Sequence, residues 1–215
     1  MNPTHPSSSQ ELTCDLLVVG SGAGGLSTAI AAKKHGLNVI VIEKAPCFGG
    51  TTAFSGGVLW IPGNTQCAAP DTREAMRTYM KDQTGPFYEA AAVDAFLDHA
   101  PEMVAWFERE TAVRFVPTLY PDYHPDAPGG AAIGRSILAA PFDIRGLGPD
   151  MARLKPPLKT ITFIGMMFNS SNADLKHFFQ ATKSLTSFLY VARRLATHLK
   201  ELALYRRGIQ VTSGN

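Results

Sequence analysis

Short apolar runs alternate with glycine-rich segments in the first part of the chain. Leu16 to Val19 is apolar at every position, which is typical of a strand buried on both faces of a parallel sheet. Leu26 to His35 is rich in alanine, and Gly36 follows it as the end of a helix requires. Asn38 to Ile42 is a second strand-like run, and Glu43 stands at its end. The pattern predicts two parallel strands joined by a helix, and hence an α/β fold.

Helical periodicity follows in the middle of the chain. Asp71 or Thr72 can cap a helix that Gly85-Pro86 should end. A second helical run, residues 88–99, meets Pro101, which should break it or start a new helix. The aromatic and methionine positions recur at helical spacing, so we expect them in a packed core.

The second half reads as a long loop, a strand and a long helix. Residues 116–149 are dense in proline and glycine and predict a loop. Thr160 to Phe168 predicts a buried strand, with residues 161–164 as its best part. Ser184 or Thr186 can cap a helix that runs to about residue 207, with leucines largely on one face. Packing inside a domain is the ordinary role of such a helix, and attachment to a membrane surface is the alternative.

The turn between the two predicted strands has the chemistry of a dinucleotide site. Gly20 to Gly25 reads GSGAGG and fits G-x-G-x-x-G. Gly20 permits the tight turn, Gly22 lets the backbone approach a pyrophosphate, and Gly25 allows the helix to pack closely on the strand. Glu43 lies 18 residues beyond Gly25, near the offset at which an acid accepts hydrogen bonds from a ribose. The carboxylate favours FAD or NAD over NADP.

A second glycine cluster, Phe48 to Gly57, favours FAD. An extended cofactor that folds back along the protein needs such a segment, because glycines let the backbone approach a flat ring while hydroxyls bind its polar edge. An ordinary surface loop is the alternative. The residues expected to bind the cofactor are Gly20, Ser21, Gly22, Ala23, Gly24, Gly25, Glu43, Lys44, Gly50, Thr51, Thr52, Ser55, Gly56 and Gly57.

The run from Gly49 to Asn64, reading GGTTAFSGGVLWIPGN, resembles 3-ketosteroid Δ1-dehydrogenases. These enzymes belong to the wider fumarate reductase and succinate dehydrogenase flavoprotein group. Some members of that group hold flavin covalently through a histidine near this cluster. No histidine lies between Glu43 and Asn64, so the resemblance implies non-covalent FAD. The likeness continues patchily through Pro121-Asp122-Tyr123, Gly134-Arg135 and Arg206-Arg207-Gly208.

The resemblance implies that Tyr123 lines the active site. Dehydrogenation of a 3-ketosteroid at C1–C2 requires hydride transfer to flavin N5 and removal of a proton by a base. A phenol can polarise the ketone, or act as that base when its pKa falls. Tyr120 and His124 are alternatives for this role, and an ordinary packed loop tyrosine is the structural alternative.

The charge of the chain limits the kinds of partner that it can bind. The net charge is +2, which argues against a dedicated nucleic-acid binder. Residues 1–150 hold 10 Lys/Arg and 16 Asp/Glu, whereas residues 151–215 hold 10 and 2, giving −6 and +8. A basic end of this kind can meet an acidic part of the same protein, a membrane surface or an anionic substrate.

The remaining features indicate a cytoplasmic globular protein. Residues 1–12 predict a flexible tail, and no apolar run approaches the length of a membrane span. Cys14, Cys47 and Cys67 form no C-x-x-C pair, so we expect reduced thiols, with a redox-active Cys47 as the alternative. The six histidines lack metal-ligand spacing, so we expect no metal site.

Two predicted parallel strands are too few for a stable doubly wound sheet. Members of the resembled family are longer and add a substrate-capping domain, further tyrosines and a segment that closes over FAD. We therefore expect residues 13–215 to be the N-terminal part of a Rossmann-like FAD-binding domain, acting on a small apolar steroid-like substrate and completed by a C-terminal polypeptide. The alternatives are a fumarate-reductase-like flavoprotein that reduces a small unsaturated acid, and a non-catalytic FAD-binding remnant.

Overall fold

The computed structural model describes residues 11–66, 71–158, 160, 162–163, 166–167 and 172–211. Most of the expected N-terminal tail lies outside the described residues. So do Cys67, Ile161 and Ile164.

The chain opens with the predicted strand–helix–strand unit. Strand β1 (Leu16–Val19) and strand β2 (Val39–Ile42) pair in parallel, with Leu16 opposite Val39 and Val19 opposite Ile42. Helix α1 (Ala23–Lys34) joins them and ends before Gly36, which has φ 86° and donates its N–H to Lys33 O at 3.0 Å. The positive φ explains why glycine follows the helix.

The expectation that β1 is buried on both faces is wrong for this chain. Val18 is buried, but Leu17 and Val19 are 52% and 77% exposed. Among the described residues β1 has β2 as its sheet neighbour, and one helix cannot cover both faces of a two-stranded sheet.

A second sheet, which was not predicted, begins directly after the second glycine cluster. Strands β3 (Val58–Trp60), β4 (Phe115–Pro117) and β5 (Ser136–Ala139) form an antiparallel sheet in the order β3-β5-β4. Ile137 and Leu138 in β5 are fully buried. The expectation of a loop throughout residues 116–149 is therefore wrong. The apolar content of β5 outweighs the proline and glycine that surround it.

Two helices pack beside this sheet. Helix α2 (Arg73–Thr84) begins as predicted at Thr72, whose Oγ1 accepts a hydrogen bond from Ala75 N at 3.1 Å. A 3₁₀ turn (Gly85–Phe87) leads to helix α3 (Ala90–Glu110). The expected break at Pro101 does not occur, because α3 runs through it and buries four apolar residues on one face. Those residues are Val93, Leu97, Ala100 and Val104.

The remaining described residues form short strands, a 3₁₀ segment and two helices. Strand β6 (Phe142–Asp143) precedes a 3₁₀ segment (Ile144–Arg153) and pairs with strand β9 (Gln210–Val211). The single strand expected at 160–168 is instead an antiparallel pair, β7 (Thr162–Phe163) and β8 (Met166–Met167). Helices α4 (Asn172–Phe179) and α5 (Leu185–Tyr205) follow, and Ser184 caps α5 as predicted.

Helix α5 presents its apolar stripe outward. Ser187, His198 and Glu201 are buried, whereas Leu185, Phe188 and Leu189 are more than half exposed. This is the reverse of the packing expected for an ordinary domain helix. Across the described ranges, no helix is long and apolar enough to cross a membrane.

Candidate FAD site

The first glycine turn has the tight geometry that the motif predicts. Gly20 adopts φ 98°, a conformation that L side chains rarely take. A Cβ placed on Gly25 would lie 2.0 Å from Gly20 O and 3.3 Å from Val18 Cγ1. Helix α1 therefore crosses β1 at a distance that only glycine at this position permits.

The N-terminus of α1 is an open, positively polarised helix end. Its N-cap, Gly22, has no side chain to bond to the helix end, and its first turn contains no acidic residue. Ala23 N donates to Thr52 Oγ1 at 3.0 Å, and a Cβ on Gly24 would meet nothing within 4 Å. Free backbone N–H groups and the helix dipole make such an end suitable for a pyrophosphate.

The second glycine segment packs directly on the first. Gly50 has φ 57°, and a Cβ there would lie 2.7 Å from Gly22 Cα. Gly49 N donates to Ser21 Oγ at 3.0 Å. The structure thus brings together two glycine segments that are 28 residues apart at the Ser21–Gly49 contact.

Glu43 lies at the end of β2, as predicted, and is fixed by the first glycine turn. Its Oε1 accepts from Ala45 N at 2.9 Å, and its Oε2 accepts from Ser21 N at 3.0 Å and from Ser21 Oγ. The hydrogen bond from Ala45 N, followed by those from Ser21, lowers the pKa of Glu43 to about 2. The carboxylate is therefore ionised at neutral pH, the form that accepts hydrogen bonds from a ribose.

Ser21 has a structural position that sequence spacing did not predict. It is buried, donates its hydroxyl to Glu43, and accepts from Gly49 N. One side chain therefore connects the glycine turn, the acid after β2 and the second glycine segment.

The remaining predicted residues lie on or beside the second segment. A 3₁₀ turn (Thr52–Phe54) follows Thr51, and Ser55 Oγ donates to Thr52 O at 2.8 Å while accepting from Gly57 N at 3.2 Å. Thr51, Ser55 and Gly56 are exposed, as is Lys44.

Lys155 belongs to this site and was missed. Its Nζ donates to Gly50 O at 3.2 Å and lies 4.8 Å from the centroid of the Phe54 ring. Backbone pairing brings it there, because Phe48 accepts from Lys155 N at 2.8 Å and donates to Arg153 O at 2.9 Å. The contact spans 105 residues, and no local motif in the sequence signals it.

Tyr123 is presented on the surface of the loop between β4 and β5. Its side chain is 99% exposed. Its neighbours are anchored: Asp122 is buried, and His124 N donates to Tyr79 OH at 3.4 Å. Tyr120, the alternative, is partly buried in the same loop.

The geometry fits a dinucleotide cofactor that also contacts a second segment of the chain. Its first part combines the close crossing at Gly25, the helix end suited to an anion and the ionised Glu43. Ser21 and Thr52 join this part to the second glycine segment. Residues 15–211 match the model of the FAD binding domain. The chain belongs to the FAD binding domain family. FAD is the cofactor of this family, as the two glycine segments predicted.

Two of the similar proteins are named as dehydrogenases of a substrate that bears an oxo group. The chain is 44% identical over 206 residues to the 4-oxocyclohex-2-ene-1-carboxylate 5-dehydrogenase of Sinomonas cyclohexanicum, an alignment covering 95% of this chain and 35% of that protein. It is 47% identical over 147 residues to the 3-oxosteroid 1-dehydrogenase of Mycobacterium tuberculosis, covering 66% of this chain and 26% of that one. These matches confirm the predicted resemblance.

A solved structure shares the fold. The 3-ketosteroid delta1-dehydrogenase of Sterolibacterium denitrificans, solved with 1,4-androstadiene-3,17-dione, superposes with a TM-score of 0.83 at 31% identity. The match covers 94% of this chain and 36% of that one. The chain thus spans about a third of the length of the relatives it matches.

Proposed function

We propose that this chain is the FAD-binding part of an oxidoreductase that removes two hydrogens from adjacent ring carbons near a ketone. The observation that carries the proposal is the contact between the two glycine segments, at Gly22 and Gly50, over the N-terminus of α1. The names of the relatives add the reaction class, since both describe dehydrogenation of a ring that bears an oxo group.

Each part of the site has a role in holding non-covalent FAD. The N-terminus of α1, with Gly22 and Ala23, faces the pyrophosphate, and Glu43 accepts hydrogen bonds from the ribose. The second glycine segment, with Thr51 and Ser55, lies along the flavin ring. FAD supplies the hydride acceptor when bound.

Tyr123 is the residue of this chain that serves the substrate. Its phenol donates to the ketone oxygen, which acidifies the neighbouring C–H group, or it accepts the proton itself. Its full exposure supports a role toward a ligand or toward another part of the enzyme, because a tyrosine used for packing would be buried.

The favoured substrate is an apolar 3-ketosteroid. The aromatic ring of Phe54, in the second glycine segment, supports an apolar ligand, and the solved relative was crystallised with a steroid. A 4-oxocyclohexene carboxylate is the second candidate, because the relative named for that substrate aligns with 95% of this chain.

A further polypeptide completes the enzyme in this proposal, with residues 13–215 as the N-terminal part of an incomplete doubly wound domain in the cytoplasm. Support comes from exposed apolar side chains on the first sheet and on α5. Leu17, Val19 and Ile42 are exposed on the β1–β2 sheet, and the α5 stripe is exposed as well.

The first test is the absorbance spectrum of the purified chain before and after acid precipitation. We expect flavin bands whose colour is released to the supernatant, as for non-covalent FAD. Colour retained in the pellet would overturn non-covalent binding. A colourless chain that stays colourless when coexpressed with the corresponding C-terminal part of a relative would overturn FAD binding itself.

The second test is ketone-dependent reduction of a dye, with a 3-ketosteroid and with 4-oxocyclohexene carboxylate. We expect turnover of the steroid by the chain together with its completing polypeptide. Turnover of the carboxylate alone would replace the steroid by the second candidate. Turnover by the chain alone would overturn the need for a completing polypeptide, and flavin without turnover of either ketone would support a non-catalytic FAD-binding remnant.

A further inference from the structure

Arg135, at the start of β5, is a buried arginine whose guanidinium is fully engaged. It is 1% exposed. Its Nε and Nη2 donate to the two carboxylate oxygens of Asp71, each at 2.8 Å, and its Nη1 donates to Asp122 Oδ2 at 2.8 Å. Burial disfavours the charged form, but the hydrogen bonds and charges of the two aspartates outweigh it and raise the pKa of Arg135. The arginine is therefore permanently charged and fixed in one orientation.

Asp122 receives this arginine and holds both ends of the loop that carries Tyr123. Its Oδ2 also accepts from Ala131 N at 2.9 Å, and its own N–H donates to Ala131 O at 2.9 Å. Arg135 Nη2 adds a bond to Gly129 O at 2.9 Å. The loop is thus closed across its base by one carboxylate and one guanidinium.

The same carboxylate connects the loop to the segment that follows the second glycine cluster. Trp60 Nε1, in β3, donates to Asp122 Oδ1 at 2.7 Å. Asn64 Nδ2 donates to Gly134 O at 2.9 Å, and Ile61 N donates to Arg135 O at 2.6 Å. Three contacts therefore join the loop to residues 60–64, which leave the segment that we assign to the flavin ring.

The buried Arg135–Asp122 pair has a role in positioning as well as in packing. Buried ion pairs contribute little net stability, because the cost of removing both charges from water offsets their attraction. What the Arg135–Asp122 pair provides is geometry: it fixes the backbone on the N-terminal side of Tyr123, and Tyr79 OH fixes the other side by accepting from His124 N at 3.4 Å. The phenol of Tyr123 remains free in solvent between two fixed neighbours.

We infer that Asp122 and Arg135, with Trp60, are positioning residues that hold the backbone of Tyr123, and so the base of its side chain, at a fixed place relative to the flavin-binding segment. The inference rests on the proposed function for the role of Tyr123. The contacts that fix the loop are observed independently of that role, so the two can fail separately.

Chymotrypsin cleavage after Tyr123 measures whether the loop is held. Cleavage after Phe87, which is 88% exposed in another turn, serves as the internal reference. Trp60→Phe removes one hydrogen bond to a carboxylate and should accelerate cleavage after Tyr123 about fivefold relative to Phe87. Asp122→Asn also weakens the contact with Arg135. This variant should accelerate cleavage after Tyr123, relative to Phe87, by more than about tenfold.

Asp143→Asn is the matched control. Asp143 Oδ2 accepts from Arg145 Nε at 2.8 Å, so its loss removes a carboxylate–arginine pair that lies outside both the loop and helix α2. We expect an unchanged cleavage ratio for this variant. If Asp122→Asn does not fold, Trp60→Phe alone decides, and an unchanged ratio in a folded Trp60→Phe overturns the inference.

Kinetics of the flavin-loaded, completed enzyme separate positioning from stability. Trp60→Phe should lower kcat for the ketone about fivefold or more with KM changed less than about twofold, because a displaced phenol weakens the transition state. A large loss with Tyr123→Phe but no change in kcat with Trp60→Phe overturns the positioning role. No loss with Tyr123→Phe overturns the proposed role of the tyrosine and the positioning role with it, even if the cleavage ratios change as expected.

Discussion

At Gly25 helix α1 and strand β1 approach too closely for a side chain. A Cβ there would lie 2.0 Å from Gly20 O, and the obstacle is backbone that cannot rotate away. Gly25→Ala should therefore lower the free energy of unfolding by about 3 kcal/mol or more, as overpacking against fixed atoms does. Urea denaturation followed by circular dichroism measures it.

Gly24→Ala is the control for this substitution. A Cβ on Gly24 meets nothing within 4 Å, and the residue lies in the same helix. Alanine is the better helix former, so the free energy of unfolding should rise by up to about 1 kcal/mol. Equal effects of the two substitutions would contradict the close crossing.

Glu43 should make the stability of the chain depend on acid pH. Its pKa falls from 4.5 to about 2 on folding, through hydrogen bonds from Ala45 N and from Ser21. A depressed pKa stabilises the folded state fully above pH 4.5, and this contribution is lost as pH falls toward 2. The difference in unfolding free energy between the wild-type chain and Glu43→Gln should therefore shrink between these two values, in urea titrations at each pH. A difference that stays constant would contradict the assigned hydrogen bonds.

Residue-level chemistry was predictable where it is local. The tight turn at Gly20, the crossing at Gly25 and the acid after β2 follow from spacing within one strand–helix–strand unit. Ser21 and Lys155 have roles that depend on contacts 28 and 105 residues away, at Gly49 and Gly50. No spacing rule covers such distances, and the Lys155 contact also depends on how the second half of the chain pairs with Phe48.

At the scale of elements, α3 contains a proline that its packing tolerates. Pro101 lacks the N–H that would bond to the carbonyl four residues earlier, and its ring crowds that carbonyl. Pro101→Ala should raise the free energy of unfolding by about 1–2 kcal/mol, after allowance for the greater freedom of the unfolded chain. Thermal and urea unfolding measure it.

Pro86→Ala provides a control of opposite sign. Pro86 is the second residue of the 3₁₀ turn, a position whose backbone suits proline. Its replacement frees the unfolded chain and should lower stability by about 0.5–1 kcal/mol. A loss of stability in Pro101→Ala would mean that the ring contributes more packing than its missing hydrogen bond costs.

Element prediction succeeded where capping and amphipathic signals are strong. Thr72 and Ser184 cap α2 and α5 as expected, because a hydroxyl at an N-cap satisfies a backbone donor whatever the tertiary context. It failed at Pro101 and at β5. In both places long-range burial, of Leu97 and Val104 in α3 and of Ile137 in β5, outweighs the local preference of proline and glycine.

At the scale of the whole molecule, apolar groups remain exposed on the β1–β2 sheet and on α5. Val19 and Ile42 are exposed on the β1–β2 sheet, and α5 exposes Phe188 and Leu189 while burying His198 and Glu201. Exposing these apolar side chains to water costs free energy. A surface that covers them would remove this cost. Sequence periodicity identified the stripe on α5 correctly but could not indicate which way the helix faces.

The exposed stripe predicts that the isolated chain self-associates. At micromolar concentrations we expect sedimentation velocity to detect species larger than the monomer, because uncovered apolar surface drives association.

Replacing Phe188 and Leu189 together by lysine should yield a monomer, since two charges then stand on the stripe. Lysine at Thr186 and Thr197, exposed positions of α5 off the stripe, adds the same charge and should leave the association unchanged. If the control pair also dissolves the oligomer, net charge rather than the stripe is responsible. If the wild-type chain is monomeric at every concentration, the stripe does not drive association, and the β1–β2 sheet is left as the main support for a completing polypeptide.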